Sequence, residues 1–542
     1  MHLHPAELIF LLLAAVAALA WLASRVRVPY PIFLTLAGGA ISFIPGLPRV
    51  PLDPNVVFLI FLPPLLYYSG MMTSWRDFSQ NLRPISLLAV GLVLFTTAAV
   101  ALVAHAVYPQ MGWAAAFVLG AIVSPPDAVA AAAITQRLRV PKRIVTVLEG
   151  ESLVNDASAL IAYKFAIAAV ATGAFSVADA SLQFVWKAAG GIAVGYAAGW
   201  VMAWLRPRLR DSSVEGIAAL LIPYVAYLPA EKIHVSGVLA AVTAGVYIGR
   251  RVPQITTSTN RLRLYAVWDT LIFLLNGLVF ILLGLALPEV IANLSALRIG
   301  WWHLVGWAAA VSAVTIVARL VWVFPAAYLP RLLPYIRRRD PVPPVRSVFL
   351  IGWTGLRGIV SLAAALALPT TLADGSAFPG RDLILFLTFG VILVTLVGQG
   401  LTLPLVIRWL RLEGDGIEER EEELARLEMT NAALARLQVL ELTNADAEAA
   451  EFFARVRQPY EQRLRYYGGR RRGIVLEDGE VCETTVQLTR VALGAEREML
   501  VRLRDDGAIG DDVLRKLQTE LDLQEARIGD DEAPAERATA AG

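Results

Sequence analysis

The chain has 542 residues, 57% of them hydrophobic and 17% charged, with a formal net charge of +2. The small basic excess sits in loops between apolar runs, which makes it a matter of membrane topology rather than a nucleic-acid footprint. A single cysteine, Cys482, excludes an intramolecular disulfide.

Apolar runs succeed one another up to about residue 410. Spans are predicted at 7–24, 30–47, 55–72, 84–107, 112–135, 144–170, 184–205, 214–230, 235–249, 265–287, 301–329, 346–368 and 383–407. These are thirteen segments, most of them close to the ~20 residues that a bilayer requires. The first lacks a basic leader and a small-residue cleavage site, so it is expected to be a retained span rather than a signal peptide. The expected fold class is an all-α polytopic membrane protein, with a transmembrane domain over 1–410 and a cytoplasmic helical region over 411–542.

Loop charge gives the orientation. Alternate loops carry Arg25 and Arg27; Arg76 and Arg83; Arg137, Arg139, Lys142 and Arg143; Arg206, Arg208 and Arg210; Arg250, Arg251, Arg261 and Arg263; and Arg331, Arg337, Arg338, Arg339 and Arg346. The intervening loops hold only Arg49, Lys187, Lys232, Arg298 and Arg381. The positive-inside rule then puts the amino terminus outside and the carboxyl terminus in the cytoplasm.

The fifth segment contains GAIVSPPDAVAAAAI. Pro125 and Pro126 offer no amide hydrogen and clash with the preceding turn, so the helix breaks and the carbonyls of Ala121 and Ile122 are expected to lose their partners. Broken backbone at membrane depth is tolerated only where it lines a cavity or is buried in protein. Asp127 follows at once, and a carboxylate beside freed carbonyls makes a hard cation site. A proline kink with Asp127 capping the next half-helix is the alternative, and the two roles can coexist.

The sixth segment holds GESLVNDASALIAY, the most polar stretch within the spans. On a helix Glu151, Ser152, Asn155 and Asp156 share one face within about a turn and a half. A carboxylate there would cost several kcal/mol against hydrocarbon, so it must meet a partner, a cation or a proton. In the seventh segment Gly191, Gly195 and Gly199 form a small-residue stripe suited to close helix packing.

The eleventh segment carries Arg319 in TIVARLVWVF, at a depth within roughly two helical turns of Glu151, and an ion pair between them is expected. The twelfth reads IGWTGLRGIVSL, where Gly352, Gly355 and Gly358 loosen the helix around Arg357. Segments five and twelve run antiparallel, and two broken, oppositely directed helices are what an inverted repeat produces at a transporter's binding site. There Asp127 would compensate half-helix amino ends and Arg357 carboxyl ends.

From Glu413 the chain turns charged, with leucines at helical spacing. Helices are predicted from there to about 442 and over 445–467, 479–504 and 510–527, ending in a polar DDEAPAERATAAG. A solvated appendage is the plain expectation for this region, with a regulatory or dimer-supporting role the alternative.

In order and spacing, SPPDAVAAAAI, GESLVNDASALIAYKFA, VARLVWVFP and GLRGIVSLAAALALP resemble the bacterial sodium/proton antiporters of the monovalent cation:proton antiporter-1 family, relatives of the animal sodium/proton exchangers. The resemblance covers about residues 5–410. It implies a thirteen-helix inverted-repeat fold with crossed broken helices, a homodimer in the bacterial plasma membrane, and elevator-like alternating access. It makes Asp156 the carrier of cation or proton, with Asp127, Ser152 and the Pro126 carbonyl as further ligands of Na+. Asn155 would orient Asp156, while Glu151 and Arg319 would form a structural ion pair. Many relatives have an acidic residue shortly after the proline pair of segment three, where this chain has Tyr68 and Ser69 in LPPLLYYSGMM, and that departure bears on cation preference.

The expected activity is exchange of Na+, with Li+ a further substrate, for H+. One carboxylate serves two cations that exclude each other, so they cross only alternately. With asparagine rather than a second aspartate at 155, the cycle is expected to be electroneutral. Potassium/proton exchange is the main alternative. An intramembrane aspartyl protease would need two carboxylates around one water and a glycine-flanked Gly-Asp motif that is absent. A channel fits poorly with a single carboxylate beside an ion pair. No Walker sequence or HExxH occurs, and no cofactor, nucleic acid or enzymatic activity is expected.

Overall fold

The computed structural model describes residues 5–26, 28–45, 54–127, 131, 140–173, 176–209, 211–294, 299–372, 375–412, 414–443, 447–468 and 483–530. The membrane portion begins with α1 (Pro5–Val26), α2 (Tyr30–Ser42) and α3 (Pro54–Met72), then a short α4 (Trp75–Gln80) leads into α5 (Leu82–Val107). α6 (Gly112–Val123) stops at the proline pair, and α7 (Lys142–Thr172) carries the polar stretch of segment six. α8 (Val177–Leu205), α9 (Ser212–Lys232), α10 (Gly237–Ile255) and α11 (Ser258–Leu285) follow. Then come α12 (Leu287–Leu294), α13 (Trp301–Tyr328), a short α14 (Pro334–Arg339), the two halves α15 (Val345–Trp353) and α16 (Ile359–Leu366), and α17 (Arg381–Leu410).

Each of the thirteen predicted segments contains helix, and eight of the described helices are by themselves long and apolar enough to cross a bilayer. Their starts follow ordinary capping chemistry. Ser236 Oγ accepts from the Leu239 amide at 3.2 Å and Ser176 Oγ from that of Asp179 at 3.3 Å. Single π-helical turns at Val57–Phe61 in α3, Leu87–Leu92 in α5 and Val394–Gln399 in α17 interrupt otherwise regular helices, and the apolar pattern gives no sign of them.

The helices divide into two bodies by what they pack against. In the first, α1 lies on α2 and α11, α2 on α11, α3 on α10, and α8 and α9 on α10. Its core includes Tyr67, Met71, Ala226, Ala244, Ile248 and Trp268. The stripe at Gly191, Gly195 and Gly199 faces Ser236, Ala240 and Tyr247 of this body, so it serves close packing of α8 on α10. In the second body α6 packs on α5 and α7, α13 on α5, α15 and α17, and α16 on α17. Its core includes Val100, Leu119, Ile122, Val311, Leu383 and Ile384. An apolar seam joins the bodies, where Leu62, Leu66 and Val242 of the first meet Leu153 and Ala157 of α7.

The carboxyl-terminal region forms α18 (Ile417–Thr443), α19 (Ala447–Gly468), α20 (Glu483–Asp505) and α21 (Asp511–Asp530). The predicted helices are all present, while the polar end from 531 lies outside the described residues. The expectation of a solvated appendage is corrected. The four helices pack around Ala425, Leu493, Leu500, Val513 and Leu517, with Ala433, Leu437, Phe453 and Tyr460 in a second cluster. The bundle is docked on the membrane portion. Arg261 of α11 donates through Nε to Asp522 of α21 at 2.7 Å and through Nη2 to its other carboxylate oxygen, and both side chains are only 1% exposed. The amphipathic pattern fixed the helices, but a partner 261 residues away cannot be read from local periodicity.

Candidate functional site

The two broken helices meet inside the second body. α6 ends at Val123, and Ser124 to Asp127 continue without helix; residues 128–139, where the sequence predicts the next half-helix, lie outside the described residues apart from Ala131. Facing this break, Thr354 to Gly358 separate α15 from α16. The strands of chain touch directly, with the Asp127 amide donating to the Leu356 carbonyl at 2.6 Å. A Cβ on Gly358 would collide with the Asp127 carboxylate, so glycine here is what permits the approach.

Arg357 is fully buried and spends its guanidinium on main-chain carbonyls. Nε donates to Val123 O at 2.9 Å, Nη2 to Ser124 O at 3.2 Å, and Nη1 to Gly355 O. A cation is thereby set at the carboxyl end of α6, where the helix dipole is negative. The expectation that Ala121 would lose its carbonyl partner is corrected, because Ser124 Oγ donates to Ala121 O at 3.0 Å. The Arg357 amide donates to Thr395 Oγ1 at 3.1 Å, and Thr395 lies in the π turn of α17.

α7 brings its polar face to this crossing. Asn155 is fully buried and donates through Nδ2 to the Pro126 carbonyl at 3.0 Å. Its Oδ1 is buried with no hydrogen-bond partner among the described residues. One turn away, Glu151 receives Arg319 of α13 in a two-pronged pair, with Nη2 to Oε2 at 2.8 Å and Nη1 to Oε1; each side chain is 1% exposed. Arg319 Nε also donates to Ile351 O at 3.1 Å, which fastens the end of α15.

Asp156 is buried, and among the described residues no hydrogen bond or ion pair reaches its carboxylate. It faces a cavity of about 60 Å³ together with Asp127, Ser152 and Pro126. A cavity of that size holds an ion or one to two waters at roughly 30 Å³ each. The opposite wall belongs to the first body, through Leu66 and Ser69 of α3 and Asn276 and Phe280 of α11, so the cavity lies on the seam. The structure thus gathers Asp127, Ser152, Asp156 and Pro126 at one cavity, with Asn155 behind it and the Glu151–Arg319 and Arg357 clusters to the side. Oxygen donors of this kind suit a hard, monovalent or divalent cation.

The pair Tyr68 and Ser69 separates in the fold. Ser69 lines the cavity, whereas the Tyr68 hydroxyl donates to Asp269 on α11. Asn276 and Ser361 also line the cavity and were not singled out from the sequence. Asn276 had a readable signal, a lone amide within the apolar run LIFLLNGLVF. Ser361 had none, because a serine in a membrane helix commonly bonds its own backbone.

Comparison with known proteins places this geometry in a family. Residues 11–409 match the family model described as sodium/hydrogen exchanger, transmembrane. A protein of Mycobacterium tuberculosis described as an uncharacterised sodium/proton exchanger is 36% identical over 537 residues, covering 96% of this chain and 95% of that protein. A sodium, potassium, lithium and rubidium/proton antiporter of Bacillus pumilus is 38% identical over 388 residues, covering 70% of this chain and 58% of that protein. Among solved structures, the sodium/proton antiporter of Methanocaldococcus jannaschii superposes with a TM-score of 0.55 at 16% identity, over 75% of this chain and 98% of that one. At that identity the likeness is one of fold.

Proposed function

The chain belongs to the sodium/hydrogen exchanger family, and from that premise we propose that it exchanges sodium for protons with Asp156 as the carrier. The observation that carries this reading is a buried carboxylate with no hydrogen bond among the described residues, set on a cavity between two helix bodies. A carboxylate so placed is stable when neutralised, and either one proton or one monovalent cation does so. Each excludes the other, and exchange follows without a separate gate for each ion. Asp127, Ser152 and a second lone pair on the Pro126 carbonyl complete the cation's oxygen shell. Asn155 holds that carbonyl in place, Arg357 and the Glu151–Arg319 pair keep the break assembled, and the proton returns to Asp156 when the cation leaves.

The second body carries Asp156 on α7, and thirteen crossings in two inverted repeats would allow it to move against the first. Access alternates as the seam opens toward one face or the other. The assignment extends to a homodimer in the bacterial plasma membrane, amino terminus outside and carboxyl terminus cytoplasmic. The arginine-rich alternate loops support that orientation. A role in pH and sodium homeostasis follows from such an exchange driven by an inward proton gradient.

The test is proton release from proteoliposomes loaded with a pH-sensitive dye, with sodium, lithium and potassium added in turn. A response to sodium and lithium is expected. A response to potassium alone would make this a potassium/proton antiporter, and no response to any cation would remove the reading altogether.

A further inference from the structure

At one face of the second body, where α13 ends and α15 begins, three arginines converge on one carboxylate. Arg331 Nη2 donates to Asp340 Oδ2 at 2.8 Å and its Nε to the Asp340 carbonyl at 3.3 Å, while Arg83 and Arg143 also donate to the same carboxylate. Arg331 is nearly buried, whereas Arg83 and Arg143 are partly open to the outside. Asp340 lies in the loop outside the spans. Burial opposes its ionisation, but the bonds from Arg143 and Arg331 outweigh that and hold its carboxyl below the usual range. Ionised Asp340 offsets one of three guanidinium charges, and among the described residues no other carboxylate pairs with them.

Directly beside this cluster is a groove of about 320 Å³. Its walls are apolar, from Leu88, Ile144, Val147, Val323, Val348 and Ile351, and Arg143 and Arg331 stand at its edge. The adjoining segment mixes exposed apolar side chains, Leu332, Leu333 and Val345, with exposed Arg337 and Arg338. Such a pattern suits the boundary between acyl chains and headgroups. Topology alone explains basic residues scattered along a loop. It does not explain why three of them share one carboxylate beside an apolar groove that two of them line, with two charges left over among the described residues.

We propose that this groove is a binding site for an anionic phospholipid, its acyl chain lying along the apolar walls and its phosphate held by the Arg83, Arg143 and Arg331 cluster. Charge complementarity selects the anionic headgroup, and the apolar groove selects a lipid over a soluble phosphate. The framing helices α5, α7, α13 and α15 all belong to the body that carries Asp156, so the lipid would be bound by the moving part. The assignment needs only the membrane fold and does not depend on which ions are exchanged.

The experiment uses the full chain, purified and delipidated in detergent, then offered phosphatidylglycerol or phosphatidylcholine with identical acyl chains while bound lipid is counted by native mass spectrometry. Phosphatidylglycerol should be retained and phosphatidylcholine lost. In the double variant Arg83→Gln with Arg143→Gln, phosphatidylglycerol affinity should fall by roughly tenfold or more, taking about one kcal/mol per basic residue at a membrane surface. Asp340→Asn should act in the opposite direction and tighten binding, a result that misfolding would not give. Equal retention of the two lipids, an unchanged double variant, weaker binding in Asp340→Asn, or displacement by inorganic phosphate would each overturn the proposal. Since lipid is counted directly, its outcome is separate from that of the proteoliposome assay.

Discussion

Glu151 and Asp156 stand five residues apart on one helix, both buried, and the molecule treats them oppositely. Glu151 holds a fixed guanidinium from Arg319, while among the described residues no hydrogen bond or ion pair reaches Asp156, which faces the seam cavity. A carboxylate with a permanent cation has no vacancy for a travelling one. Its neighbour has no such partner among the described residues, so the proposed carrier lies little more than one helical turn from a carboxylate with a fixed counter-charge. The lesson is that burial and residue type alone do not identify an ion carrier; the presence of a fixed counter-charge decides.

The largest effect that could break this contrast is at Asp156. Asp156→Asn should reduce exchange in proteoliposomes below a tenth of the unaltered protein while leaving the folded elution profile intact, because the amide neither takes up a proton nor supplies charge to a dehydrated cation. Exchange well above that level would transfer the carrier role to Asp127.

On the other side of the comparison, Glu151→Ala and Arg319→Ala should each destabilise the protein by roughly 3–5 kcal/mol, since each leaves a buried charge uncompensated. The double variant should recover part of the loss in a denaturation cycle. Additive losses would show that the pair is not energetically coupled.

A subtler change sharpens the contrast rather than breaking it. If, as proposed, only Asp156 changes its load in the cycle, exchange should be indifferent to a potential clamped with valinomycin. Asn155→Asp would place a second carboxylate next to the Pro126 carbonyl and should make exchange respond to that potential, by allowing two protons per cation. A voltage response in the unaltered protein would mean that another group also releases a proton.

The smallest expected effect lies far from the membrane, at a third buried carboxylate. Glu496 in the terminal bundle is 2% exposed; burial raises its carboxyl to about 7, although Arg463 and Arg497 pull it down. In the folded bundle it keeps its proton through a range where the unfolded chain has lost it. The bundle should therefore be most stable below about pH 4.5, lose stability as the pH rises to about 7, and change little above. Hydrogen exchange of α20 in the full chain should quicken between those limits, and Glu496→Gln should flatten the dependence.

Much of this site could be read in the chain. Pro125 and Pro126 dictate a helix break by lacking amide hydrogens, and a charge as expensive as Glu151 inside a span demands a partner of the opposite sign. Arg319 was the remaining candidate at matching depth. What could not be read was that the first body supplies the opposite wall of the cavity. Ser69 and Asn276 reach the cavity only because α3 and α11 pack across the seam, and neither carries a charge whose cost would announce it. The docking of α21 was equally hidden, since Arg261 and Asp522 both look like ordinary surface residues until they are brought together.

The Arg261–Asp522 pair also imposes an order on biogenesis. Its members are 261 residues apart, and at roughly 5–20 residues per second the ribosome delivers Asp522 about 13–50 s after Arg261. Throughout that interval α11 is already made while its Arg261 guanidinium lacks the carboxylate that later covers it. In a nascent chain that stalls before α21, the Arg261 charge at the end of a membrane helix therefore stays open to water instead of being sealed against Asp522.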